Sequence, residues 1–72
     1  MTRYLVVIEH GETSYGAYVP DLPGCVAAGE TQEEVRELIH EAIALHIEAL
    51  REAGLPVPKA SSEGEYVQLE AA

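Results

Sequence analysis

The chain has no phenylalanine, tryptophan or asparagine, one cysteine, one aspartate and only four basic side chains, Arg3, Arg36, Arg51 and Lys59. Each shortage excludes something. A lone cysteine cannot close an internal disulfide. Four cations against thirteen acidic residues, for a net charge of -9, leave no clustered basic face with which to grip phosphates, so direct DNA or RNA binding is not expected. No apolar run approaches the roughly 20 residues of a membrane span, and no signal peptide opens the chain. A cytoplasmic protein with no membrane association is the reading that remains.

Seventy-two residues make one domain, expected over 1–72. A chain of this size buries only roughly 60% of its unfolded surface and is marginal as a monomer, so a homo-oligomer, dimer or tetramer, is expected. The acidic field suits a basic protein partner, whose encounter it would accelerate.

Residues 19–34 (VPDLPGCVAAGETQEE) organise the rest. Before them, residues 4–9 (YLVVIE) are strand formers apolar on both faces, the mark of a central strand. A short polar loop with Gly11 then leads to a second strand at 15–19. The prolines of the PDLPG run, Pro20 and Pro23, cannot donate backbone bonds and push the residues before them towards extended geometry, making a rigid connector. A third strand is expected at 25–28, closed by Gly29. Its small side chains allow a helix to approach.

Thr31 and Glu34 have capping-box spacing, with the Thr31 hydroxyl accepting from the Glu34 amide and the Glu34 carboxylate reaching back. Glu30, Glu33 and Glu34 also suit the positive end of a helix. Val35, Leu38, Ile39, Ala42, Ile43, His46, Ala49 and Leu50 then recur three and four apart and describe one apolar face. Gly54 stops this helix and Pro56 keeps it stopped. Residues 65–70 (EYVQLE) alternate, with Val67 and Leu69 on one side and Tyr66 and Gln68 on the other, and predict a fourth strand.

The expected fold is therefore α+β, a β-β-β-α-β domain. A right-handed crossover places the last strand beside and parallel to the first, giving a four-stranded mixed sheet of order 3-2-1-4 with one long helix on one face. The other face is left uncovered and should meet a second protein surface. This points to binding rather than chemistry.

The chemical candidates agree with that direction. Cys25, in a small-residue strand facing the helix, reads as structural rather than nucleophilic. His40 and His46 are six apart on a helix and point to different faces, so they cannot chelate one metal. His46 falls within the apolar stripe, where one good hydrogen bond would hold it neutral. Glu9 and Asp21, near strand ends, are the pair on which an alternative rests, a vestigial RNase H-like nuclease using magnesium. Two-metal hydrolysis needs several clustered carboxylates, and most acids here lie on the solvent side of the helix. No catalytic residue, metal site or cofactor is assigned, and no enzyme is expected.

The junction, with the helix and its G-x-P-x-P exit at Gly54, Pro56 and Pro58, resembles the HicB-like antitoxin domain, whose sequences carry a V-P-D-L-P-G-C junction followed by G-[DE]-T-x-E-E. The matching positions are 19–25, 29–34 and the exit. The resemblance implies a partial RNase H-like fold. It further implies the antitoxin of a type II toxin-antitoxin pair, neutralising a small basic HicA-type mRNA ribonuclease by direct binding. Partner contacts are expected along the sheet edge and junction, at Glu9, Asp21, Leu22, Pro23 and Gly24. Pro20, Gly29, Thr31, Glu34, His46 and Gly54 take structural roles. Relatives often add a C-terminal DNA-binding domain, and none is expected within these 72 residues. A stand-alone homo-oligomeric domain is a further alternative.

Overall fold

A computed structural model describes residues 2–70. The elements are β1 (Val7–His10), β2 (Tyr15–Tyr18), β3 (Val26–Gly29) and α1 (Gln32–Glu52). The strands form an antiparallel sheet in the order β1-β2-β3. Its register places Ile8 opposite Ala17 and Ala17 opposite Ala27, while Val7, Tyr18 and Val26 form the next rung. Successive side chains alternate between faces, so the first rung points to the helix and the second away from it.

The fold is α+β as expected, but the described residues contain three strands rather than four, and the sheet is antiparallel rather than mixed. The alternation of 65–70 belongs to that segment, whereas a strand also needs a ladder partner. Here Tyr66, Val67 and Leu69 are 106%, 69% and 69% exposed, and the segment pairs with no strand among the described residues. The first strand is shorter than residues 4–9 for a related reason. Continuing the β1–β2 register sets Leu5 against Pro20, where the neighbouring chain has no amide to give and turns away.

That turn is two consecutive β-turns sharing Leu22. The Leu22 amide donates to the Val19 carbonyl (3.1 Å) and the Cys25 amide to the Leu22 carbonyl (3.0 Å), while the Val19 amide closes the loop onto Cys25 (3.2 Å). Pro20 and Pro23 occupy the second position of each turn. Gly24, at φ 85°, takes the left-handed third position that a type II turn requires. Because Cys25 is used in this turn, β3 begins one residue later than expected.

The helix begins at the expected place. Thr31 is the N-cap and its hydroxyl accepts from the Glu34 amide (3.0 Å), while the Glu34 side chain folds back over Gly29, where a Cβ would sit 3.2 Å from Glu34 Cγ. The far end is a Schellman motif. Gly54 (φ 72°) donates to the Arg51 carbonyl and Leu55 to the Leu50 carbonyl, the pattern that satisfies the last carbonyls of a helix.

The core is Ala17, Val19, Leu22, Cys25, Val35 and Ile39, with Tyr4, Val6, Ile8, Ala27, Ala42, Ile43 and Ile47 packed around it. The expected helix face shifts towards Ile47. Leu38 is 37% exposed and Ala49 is exposed. A helix of 21 residues is about 31 Å long, whereas strands of four residues cover only about 13 Å. The second half therefore overhangs the sheet, and His46 and Leu50 are half-buried although helical phase centres them on the stripe.

Candidate binding surfaces

The PDLPG loop combines a buried and an exposed part. Leu22 is 0% exposed at the vertex of its two turns and packs in the core. It therefore cannot contact a partner, which corrects its place among the expected contact residues. Its apolar side chain is the one residue of the run that the core can take, since the flanking prolines, Pro20 and Pro23, and Gly24 are exposed.

Asp21 holds the segment that follows the helix. Its carboxylate accepts from the Ser61 amide (2.8 Å), the Ser62 amide (2.9 Å), the Ser62 hydroxyl (2.8 Å) and the Ser61 hydroxyl (3.2 Å). The Ser62 amide and hydroxyl, then the Ser61 amide, pull its pKa down to about 2, because each donor favours the charged form. The carboxylate is thereby committed to clamping the segment that follows the helix. A second tie, from the Tyr4 hydroxyl to the Pro58 carbonyl (2.6 Å), fastens the same strap to the chain entering β1. The sequence signal was present as the only aspartate and a Ser-Ser pair, but forty residues separate them and no local pattern joins them.

Glu9 lies exposed on β1 opposite Gly16. Val7 pairs with Tyr18. Glu9 lies to one side of that pair along the sheet and Asp21 beyond it on the other side, within the turn that follows β2. The structure does not bring the two carboxylates together, and the nuclease alternative loses its only pair. Among the described residues, no group of three His, Cys, Asp or Glu side chains converges as a metal site would require. Cys25 is 3% exposed, and burial pushes its thiol pKa up, as suits an inert core thiol.

Two surfaces stay available. One is the sheet face opposite α1, where Val7 is half-buried and Tyr18 and Val26 are 39% and 65% exposed. Sequence reading gave the existence of this uncovered face but not its residues, which depend on register. The other is the outer side of α1, where Glu33, Glu37, Glu41, Glu48 and Glu52 are exposed along with Leu45. No helix among the described residues is long and apolar enough to cross a membrane.

A three-stranded antiparallel sheet with one long helix and a proline-rich junction defines a small α+β domain. The family described as "HicB_like antitoxin of bacterial toxin-antitoxin system" matches residues 4–71, and the chain belongs to it. Among curated relatives, it is 38% identical over 64 residues to an uncharacterized 14.9 kDa protein of Haemophilus phage HP1, covering 89% of this chain and 48% of that one. It is 32% identical over 63 residues to Antitoxin HicB 2 of Photorhabdus laumondii, covering 88% of this chain and 45% of that one. The chain thus spans about half the length of these two relatives. A solved structure titled "HicA3 and HicB3 toxin-antitoxin complex" contains a chain that superposes with a TM-score of 0.71 at 35% identity, covering 83% of this chain and 70% of that one.

Proposed function

We propose that this chain is a single HicB-like domain that works in the cytoplasm as the antitoxin of a type II pair, neutralising a small basic HicA-type mRNA ribonuclease by binding it directly, without catalysis of its own. The observation that carries the reading is the match to a HicA3–HicB3 complex at a TM-score of 0.71, joined to a net charge of -9. The partial RNase H-like architecture belongs to the same reading, as does self-association.

The contact surface fits a basic partner physically. Pro23 and Gly24 are exposed on a loop held by three internal backbone bonds, which limits the entropy lost on binding. Beside them the rung of Val7, Tyr18 and Val26 offers apolar area, and Glu9 adds charge at the sheet edge. Rigid apolar contact sets residence time, while the distributed acids set the rate of encounter.

The test is titration of the full chain with a purified HicA-type ribonuclease at low and high salt, scored for binding and RNA cleavage. Binding that weakens with salt and stops cleavage is expected. Absence of a complex at low salt would sink the reading.

A further inference from the structure

We propose that residues 65–70 serve as a fourth strand for a second copy of this chain, docking along the outer edge of its β1. Three features meet here. The segment has a strand's alternation, yet Tyr66 is fully exposed and Val67 and Leu69 are about two-thirds exposed. The outer edge of β1 pairs with no strand among the described residues, leaving its amides and carbonyls without ladder partners. Beside that edge lies a cleft of about 210 Å³, lined by Thr2, Tyr4, Val6, His40 and Ile43. The cleft exists because α1 lies over β2 and β3, which leaves the helix-side layer unfilled beyond β1. Val67 and Leu69 share one face of the alternating segment, and a strand laid on the edge would direct that pair into the cleft.

The occupant is a second copy rather than the same chain because of how the strap is held. Ser61 and Ser62 are clamped to Asp21, and Gly64 lies against Leu5, where a Cβ would meet Leu5 Cδ1 at 3.2 Å. Leu5 is one residue out of step with Tyr4 and Val6, so the strap leaves on the sheet face opposite the cleft. From there residues 65–70 run clear of their own sheet. The molecule is 49 Å along its longest axis, against about 31 Å for the helix.

One chain supplies both the missing strand and the open edge, so two copies related by a two-fold axis satisfy both at once, and the assembly closes. Two exchanged six-residue strands, each burying surface on both partners, reach the roughly 1,200 Å² at which specific interfaces begin. An exposed edge and an exposed strand are each an aggregation hazard alone, and their mutual pairing removes both. The inference rests on the self-association part of the proposed function and not on the toxin.

The test compares the full chain with Val67→Pro by sedimentation equilibrium. Proline removes one ladder amide from a residue that is largely exposed and pairs with no strand in the monomer, so circular dichroism should be unchanged while the dimer dissociates at least about tenfold more readily. A second measurement mixes an isotope-labelled full chain with an unlabelled Gln68→Cys chain carrying a spin label. Broadening of the labelled chain's β1 amides is expected. The proposal is overturned if the protein stays monomeric, if the Val67→Pro dimer is as tight as the parent, or if broadening occurs only when label and reporter share a chain. Protection of 65–70 that appears only on adding a HicA-type ribonuclease would overturn it equally and assign the strand to the toxin.

Discussion

Residues 19–25 and residues 65–70 both carry apolar side chains outside the strands and the helix, and the fold treats them oppositely. Leu22 in the first is 0% exposed and Leu69 in the second is 69% exposed. The first closes three backbone bonds on itself and ties its aspartate to the strap. The second closes none. Apolar pattern sets what a segment is able to bury, but whether it does so in one molecule depends on whether the same molecule supplies the opposite surface.

Breaking the first region should have the largest effect. Leu22→Ala leaves a cavity beneath two turns that cannot collapse, and should cost about 3 kcal/mol. For a domain of this size that lowers Tm by more than about 10 °C, as calorimetry would read. An equally stable Leu22→Ala would mean that the loop is held by its turns alone.

Gly24→Ala separates those two contributions. No atom lies within 4 Å of the position a Cβ would take, and φ is 85°, so the penalty is conformational and not steric. It should amount to about 1 kcal/mol, seen as a smaller fall in Tm with Leu22 packing intact by near-ultraviolet spectroscopy of the tyrosines.

The contrast also explains what was legible in the sequence. The PDLPG turns, the Thr31 cap and the Gly54 stop are local devices whose donors and acceptors lie within a few residues, and each was readable. The uncovered sheet face was legible too, because it follows from counting helices. What failed depended on distant residues. Leu22 looked available because the residues around it are loop formers. The clamping role of Asp21 went unread because Ser61 and Ser62 are forty residues on. Residues 65–70 looked like a strand in the chain's own sheet, because alternation cannot reveal where the preceding strap is clamped.

Removing the clamp tests that last point. Asp21→Asn keeps the shape of the side chain but loses the charge that its four donors stabilise. The Ser61 and Ser62 amides should then exchange with solvent much faster while the amides of α1 are unaffected. Acid should do the same reversibly. The folded pKa of Asp21 lies below the ordinary carboxylate value of 3.8, at about 2, so the clamp's contribution is complete above pH 3.8 and is lost as pH falls through about 2. Strap protection that survives Asp21→Asn would place the anchor at the Tyr4–Pro58 bond instead.

The smallest effect belongs to the second region, and its smallness is informative. Leu69→Ser removes a large apolar side chain, yet at concentrations where the protein is monomeric that side chain is largely exposed, so stability should change by less than about 0.5 kcal/mol. Repeating the melt at increasing protein concentration should separate the two proteins. A chain whose partner copy binds the native state gains Tm with concentration by mass action, and Leu69→Ser should flatten that dependence while leaving the dilute limit where it was. An equal loss at every concentration would instead mean that Leu69 is buried within its own molecule, and the difference between the two regions would disappear.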